Sequence, residues 1–519
     1  MIIHYSVQIK TIINLYKQLG LLFMNKFILI GVVLGLVVIG LVAYPSIRAP
    51  KAHEIVAQQA AKIKKQFAEN DLGTLKISDH ETDRQSSSFN VSWTLPKTLP
   101  GESVEMYEGA PIEVQTHVDV DLGALPSTQG YDTIRTQTQV PVLNELLTSM
   151  GMDKPLNLDC TTDAKFSGSE TQCKTPKIVL NNPDKKIKAA ETFTLSPLDM
   201  QVNVDQDEKT AAIDINYDKL AFVSLSQGKF LAQGIRLKSN GPLPSDTKKI
   251  MDIISGQGML LGKSSNELTI DQLALASNSI KNTPELKGLK ISTMSDTQDS
   301  NFSLDYKMNI ESMTNVPMNI TSTQYALNFE NLDINAINEL SAIDSNDPSL
   351  DAAVDGFKKL LAKGPVISQN FELMQENKQK TQLTSTISLA KDDNNSLDAL
   401  AATTKQSLAE GTPPAALISD LQTYLMEKLK VEIDLNAHQN IVKAIAAAVN
   451  DRRAMGTPAA NAPLAEKKKA VDASLAMLQV MQIVKKNGDN YVSQFKLADN
   501  KALLNGQDVM PILQMFNSQ

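Results

Sequence analysis

Five histidines, two cysteines and a few serines and carboxylates at suggestive spacings are the groups in this 519-residue chain that could do chemistry. The nearest approach to a phosphate-binding loop is GQGMLLGKSS, Gly256 to Ser265. A Walker loop needs glycine where Gln257 stands, and a dinucleotide fingerprint needs it where Leu261 stands, so the glycines read as a turn before the strand NELTIDQLAL. Ser245-Asp-Thr-Lys248 spells S-x-x-K, but neither K-T-G nor S-D-N follows, and Ser245 after Pro244 reads as a helix N-cap. His4, His53, His80, His117 and His438 are isolated, with no H-E-x-x-H or paired spacing. His117 falls on the polar parity of its strand and His438 in a first helical turn, so both read as surface or second-layer groups. No catalytic residue, metal ligand or cofactor is assigned.

Cys160 and Cys173 lie in LNLDCTTDAKFSGSETQCKTPKIVL, separated by a loop holding Gly168 and bounded by strand-like flanks. They read as a disulfide stapling a hairpin. In an oxidising compartment so short a closed loop adds about 3 kcal/mol by the chain-entropy estimate. Reading them as metal ligands fails, because no Cys-x-x-Cys and no nearby histidine completes a tetrahedral set.

The elements that must position these groups begin with FILIGVVLGLVVIGLVAY, Phe27 to Tyr44, a run with no charged residue. A bilayer core needs about 20 apolar residues, so this run and its flanks suffice for one transmembrane helix. MNKFILIG from Met24 reads as a natural start, which makes residues 1–23 a misassigned start. The alternative is an amphipathic cytoplasmic extension built on Ile12, Ile13, Leu15, Leu19 and Leu21. GLVAYPSIRAP offers no A-x-A cleavage pattern, so the run reads as a retained anchor over 24–46. Lys10, Lys17 and Lys26 before it nearly balance Arg48 and Lys51 after it, and the charge rule leaves orientation to the cysteines. These favour an extracytoplasmic body.

KAHEIVAQQAAKIKKQFAEN predicts a stalk helix over 47–70, with Lys62, Lys64 and Lys65 on a solvated face. From about residue 74 the apolar period becomes two, as in Ile112 to Leu122, Leu198 to Val204, Ala211 to Tyr217 and Phe302 to Ile310. This predicts half-buried antiparallel strands with one wet face. Helical inserts are predicted at VPVLNELLTSMG, SDTKKIMDIISG and DAAVDGFKKLLAKG, with a helical hairpin over 436–480 broken at RRAMGTPAANAP. A sub-division of the body is expected near 300–345.

LDINAINEL, Leu332 to Leu340, and IDLNAHQNI, Ile433 to Ile441, match in type and spacing and read as two strand-to-helix corners left by a duplication. Asn335 and Asn436 are the expected helix caps, with Gln439 as capping-box partner of Asn436. Asp333 and Asp434 could be read as a catalytic carboxylate pair, but polar outward positions on alternating strands explain them better.

With 42% hydrophobic and 21% charged residues, the chain has a composition that suits an ordinary folded protein. A net charge of −8 and the lack of basic runs with interleaved aromatics exclude a nucleic-acid partner. Nineteen methionines, Met308, Met313, Met318 and Met374 among them, would suit an adaptable apolar groove or serve as core filler.

MNKFILIG, SQGKFLAQGIRLKSNG through NELTIDQLALA, LLAKGPVISQNFELMQENK, LKVEIDLNAHQNIVKAI and YVSQFKLADNKALLNGQDV together resemble the YdgA-like family of bacterial envelope proteins. The resemblance implies an inner-membrane anchor, a periplasmic body and a homodimer, and carries over no catalytic residue. The resulting expectation is an α+β, β-rich protein: an N-terminal transmembrane helix, then a long curved antiparallel sheet with helical inserts over 71–519. Two functions fit it. One is a non-enzymatic binding or scaffold module for lipid or an envelope protein on a concave apolar sheet face, and the other is an envelope hydrolase whose site forms only in the fold.

Overall fold

A computed structural model describes residues 73–95, 112–122, 132–149, 155–181, 191–242, 262–276, 284–336, 350–391 and 424–510, apart from short internal gaps, together with a few isolated positions. The expected anchor at 24–46, most of the stalk helix, Ser245 and the insert around Ile250 lie outside the described residues. No helix among the described residues is long and apolar enough to cross a membrane. The fold is β-rich and antiparallel, and it divides into two units at Lys290 and Ile291.

In the unit ending at Lys290 the first six strands each pair with the next in a meander, and the sixth pairs on with the ninth. The strands are β1 (Thr74–Thr82), β2 (Ser86–Thr94), β3 (Glu113–Leu122), β4 (Asp132–Gln139), β5 (Asn157–Lys165) and β6 (Gly168–Lys174), then β7 (Ile178–Asn181), β8 (Glu191–Leu195) and β9 (Leu198–Asp205). β10 (Thr210–Ser224), β11 (Gly228–Pro242) and β12 (Ser264–Ala276) complete it. β6 with β7 and β8 with β9 form one kinked hairpin whose return strands both pair with β10. Hydroxyls stitch the kink. Thr175 Oγ1 accepts from the Leu198 N–H at 3.0 Å, and Ser196 Oγ accepts from the Lys219 N–H at 2.9 Å.

The predicted period of two is realised as one buried face from β1 to β9. Leu75, Phe89, Val91, Trp93, Val114, Val118, Val120, Ile134, Leu198, Met200 and Val202 all lie on it. Buried threonines share that face and satisfy their hydroxyls across strands: Thr116 meets Thr138 at 3.0 Å and Thr162 meets Thr171 at 2.9 Å. α1 (Pro141–Ser149) forms on the predicted insert and adds Leu147 to a second cluster with Met152, Ile178 and Leu195. Tyr217 packs against both clusters, and burial pushes its hydroxyl well above the usual phenol range.

Glycine is required at the β5–β6 turn. A Cβ at Gly168 would sit 1.9 Å from the Val204 carbonyl oxygen, so only a hydrogen lets β6 approach β9 there. Farther on, the strands lengthen to 15 residues in β10 and β11, well above the usual 5 to 6 or so. Most of their side chains are half-buried on both faces, in contrast to the strict alternation of β9. Gly234, at φ 62, lies midway along β11 beneath the Asp271 carboxylate.

β13 (Glu285–Gln298) carries the chain into the unit from Ile291. There β14 (Asn301–Ile310), with its short continuation β15 (Ser312–Thr314), pairs with β16 (Ile320–Asp333). β17 (Val366–Gln375), β18 (Lys380–Leu389), β19 (Leu429–His438) and β21 (Asn490–Ala498) follow side by side. The order ends with β22 (Lys501–Leu504) and β23 (Gln507–Asp508), and β20 (Lys485–Asn487) pairs with the first half of β21. α2 (Leu350–Lys363) links β16 to β17, and its Leu361 is fully buried. The predicted hairpin is present as α3 (Gln439–Ala454) and α4 (Leu464–Val480), joined to the strands through Val471, Leu475, Val484 and Tyr491.

The register makes this sheet two-faced. Tyr306, Leu327, Phe329, Phe371, Leu383, Ile387, Val431, Ile433, Leu435, Phe495 and Leu497 share one face across six strands. The opposite face carries Lys307, Gln324, Asn370, Glu372, Thr384, Glu432, Asp434 and Lys496. Met308 stands on the apolar face, whereas Met374, paired with Ser322 and Lys380, stands on the polar one.

Candidate functional site

The polar face of the second unit forms an open cleft where β18, β19 and β21 lie side by side. Gln382, Asn436 and Val492 make one cross-strand row, and Thr384, Asp434 and Gln494 make the next. Strands about 4.8 Å apart, with same-face residues about 6.6 Å apart along each, set this grid. Lys485 from β20 and Asn505 from the β22–β23 turn join the grid around a cleft of about 480 Å³.

Asn505 is the fastener. At φ 52 it stands where β21 exchanges β20 for β22 as its neighbour. Its Oδ1 accepts from the Gln494 N–H at 2.9 Å, and its Nδ2 donates to the carbonyls of Gln482 at 2.6 Å and Ile483 at 3.2 Å. Lys485 Nζ donates to the Asn505 carbonyl at 3.0 Å. Asn505→Ala removes the three side-chain bonds and places a Cβ residue less suited to positive φ, so a loss of about 2 kcal/mol is expected. Asn505→Gly keeps the backbone conformation and should recover only the part owed to φ, which a urea denaturation series on the three proteins will separate.

Among the described residues the side chains of Gln382, Thr384, Asp434 and Gln494 have no hydrogen-bond partner, so they present donors and acceptors to solvent. Among the described residues Asp434 is the one carboxylate lining the cleft, and no histidine, serine or cysteine nucleophile with a base stands beside it. The arrangement can hold a polar group. It lacks the paired groups that acid–base or nucleophilic chemistry requires.

The repeat corners do not superimpose. β16 ends at Asp333 and the chain turns helical at Ile334, whereas the matching Asp434 lies within β19, which continues to His438. The caps expected at Asn335 and Asn436 are therefore made by other residues. Asp333 Oδ1 accepts from the Ala336 N–H at 2.9 Å and its Oδ2 from Ser300 Oγ at 2.7 Å, with Asn335 already inside the turn. At the second corner His438 Nδ1 accepts from the Asn440 N–H at 3.3 Å, while Asn436 Oδ1 accepts from Asn490 Nδ2 at 2.8 Å. Gln439 turns to Asp489 instead of Asn436, at 3.2 Å. His438 is thus a buried last strand residue and not a member of the first helical turn.

Asp333 is buried, which by itself would raise its carboxyl, but the N–H of Ala336, the Ser300 hydroxyl, the N–H of Asn335 and the charge of Lys363 outweigh burial and hold it below the ordinary range. It forms no pair with Asp434. The lateral neighbour of Asp434 on β16 is Ala326, and three strand spacings with seven residues of rise separate the two carboxylates by roughly 25 Å.

The one described grouping of serine, histidine and acid lies on β2 and β3 of the first unit. His117 Nδ1 faces Asn90 Oδ1 at 2.8 Å, and its Nε2 lies 3.2 Å from Asp119 Oδ1 and 3.4 Å from Ser88 Oγ. A hydrolytic triad divides nucleophile and carboxylate between the two ring nitrogens. Here Ser88 and Asp119 share Nε2, and the ring stands 47% exposed on a polar sheet face, where Arg135 also pairs with Asp121. Cys160 and Cys173, on adjacent strands in direct register, are joined in a disulfide inside the core cluster with Leu198 and Met200.

Asp333, His438 and Asn505 were missed as structural polar residues. A carboxylate three residues before a helical N–H was the available signal for Asp333, whereas the partners of Asn505, 22 and 23 residues back in sequence, left none. No curated protein matches the chain. Residues 24–511 match the family model DUF945, described as a bacterial protein of unknown function, and the chain therefore belongs to that bacterial family.

Proposed function

We propose that the protein is a membrane-tethered periplasmic binding module of the YdgA-like kind, and that its sheet receives an elongated apolar ligand, lipid first and an apolar segment of an envelope protein second. The observation that supports this reading is the apolar face of β14, β16, β17, β18, β19 and β21. It carries aromatic and branched side chains in register across six strands, yet Tyr306, Tyr325, Phe371, Leu383 and Ile433 are only half-buried and Ile387 is exposed. Tyr306 and Tyr325 meet edge to face at 5.9 Å, a rigid apolar surface. Binding an apolar chain along such a face would bury area at about 25 cal/mol per Å².

The apolar run Phe27 to Tyr44 supports the tether, and the Cys160–Cys173 bond supports an oxidising compartment. A non-enzymatic role accords with the exposed, misdirected geometry of Ser88 and His117; a serine-directed fluorophosphonate should leave Ser88 unlabelled. Extraction of the purified full-length protein followed by lipid mass spectrometry is the test. Co-purifying lipid that is depleted in a Phe371→Asp variant of unchanged thermal stability is the expected result. Lipid-free protein with the face accessible to an apolar dye would remove the lipid version and leave the protein-segment version.

A further inference from the structure

α4 carries apolar side chains on two faces of one helix. Val471 and Leu475 are buried beside Val442, Ala446, Ala447 and Tyr491, which accounts for the first. Ala470, Ala473, Met477 and Val480, with Met481 just past the helix end, follow at helical spacing on the second, and all five are exposed. Met477, Val480 and Met481 are 63%, 83% and 55% exposed. The other large apolar side chains that are exposed among the described residues occur singly, so this stripe stands apart.

Charge identifies what covers it. Lys467 and Lys469 flank the start of the stripe, Lys468 falls on the opposite side of the helix, the exposed Glu466 heads the stripe's own row, and Lys485 and Lys486 follow its end. The bond from Lys485 to the Asn505 carbonyl, and from Asn505 Nδ2 to the Gln482 carbonyl, hold that lysine beside the tip. Residues 439–490 contain eight Lys and Arg against four Asp and Glu, in a chain whose net charge is −8. A second copy packed antiparallel on the stripe would set Glu466 against a lysine of the tip but leave the remaining lysines facing lysines. An anionic surface would not. We propose that this face of α4 rests on an anionic lipid bilayer, with Met477, Val480 and Met481 entering the interfacial layer and the bracketing lysines reaching headgroup phosphates. The contact is independent of what the sheet binds and relies on the proposed tether only for proximity.

The test uses the full chain in nanodiscs. Cys160 and Cys173 are bonded to each other, so a Val480→Cys variant can be labelled at one site with an environment-sensitive nitrobenzoxadiazole dye. Discs of phosphatidylcholine with and without about a third of phosphatidylglycerol are compared, and Thr161→Cys on an exposed strand position serves as control. Blue-shifted emission at position 480, quenched by doxyl lipids in anionic discs and weakened several-fold by high salt or by the double variant Lys469→Glu/Lys486→Glu, supports the proposal. No shift at 480 in anionic discs overturns it. A disulfide-linked dimer formed by unlabelled Val480→Cys also overturns it, by showing that a second copy covers the stripe. Co-elution of protein with discs reports the tether separately, so failure of the tether and failure of the contact are distinguishable.

Discussion

Replacing Cys160 and Cys173 together by alanine is expected to lower the unfolding free energy of the unit ending at Lys290 by about 3 kcal/mol from loop closure alone, with about 1 kcal/mol more from lost packing. The bridge closes a loop with a sequence separation of 13, which sets the entropic part. The packing part follows from burial, since Cys173 is 1% and Cys160 5% exposed between Leu158, Leu198 and Met200. Guanidinium denaturation followed by the fluorescence of Trp93, which is fully buried in the same unit, reads the effect directly. Because the bond is buried, dithiothreitol should reduce it no faster than the unit opens, and the reduced protein should unfold at a lower denaturant midpoint. Equal midpoints for oxidised and reduced protein would show that the bridge contributes nothing.

Asp333→Ala should cost the unit from Ile291 about 2–3 kcal/mol at neutral pH, because it leaves the Ala336 N–H and the Ser300 hydroxyl without their acceptor at a buried corner. Asp333→Asn keeps one acceptor oxygen and should cost roughly half as much. The two variants also differ from the wild type in their pH dependence. The carboxyl of Asp333 is held below the ordinary 3.8 of an aspartate in the folded protein. Its contribution is therefore present in full above the unfolded value and is lost as pH falls through the folded one. The stability gap between wild type and Asp333→Asn should hold constant from pH 6 to about pH 5 and narrow as pH falls toward pH 3 and below. A gap that stays constant throughout would show that the carboxylate charge is not what the corner uses.

The elements that were legible in the sequence are those whose signal is local. Alternation in Leu198 to Val204 and Phe302 to Ile310 specifies strands because one face must be buried, and each of these runs is a strand in the structure. DAAVDGFKKLLAKG and the segment 436–480 hold a 3.6 period with Gly and Pro at their breaks, and helices form on both. The hairpin linking Cys160 to Cys173 was readable for the same reason, since thirteen residues with a glycine turn keep both partners in one local unit.

The caps show where local reading fails. LDINAINEL and IDLNAHQNI look alike, yet β19 runs four residues farther because Asp434, Leu435 and Asn436 keep pairing with both β18 and β21. At Asp333 the strand ends and the carboxylate turns to the next helical N–H groups. The difference is set by neighbouring strands, which lie up to 66 residues away in sequence, as in the pairing of Val431 with Leu497.

His117 illustrates the same limit for chemistry. Its parity marked it as polar and outward, and the structure places it so, but whether Ser88, Asn90 and Asp119 made a reacting group or a surface ladder depended on which ring nitrogen each faced. By itself, then, the sequence determined the strand and helix types, the two-faced character of the strands and the cysteine hairpin, all consequences of side-chain period and short-range closure. Which polar residues converge on the β18–β19–β21 cleft, which aspartate caps a helix and which face of α4 stays bare were decided only by tertiary structure, because cross-strand register joins residues that no local pattern connects.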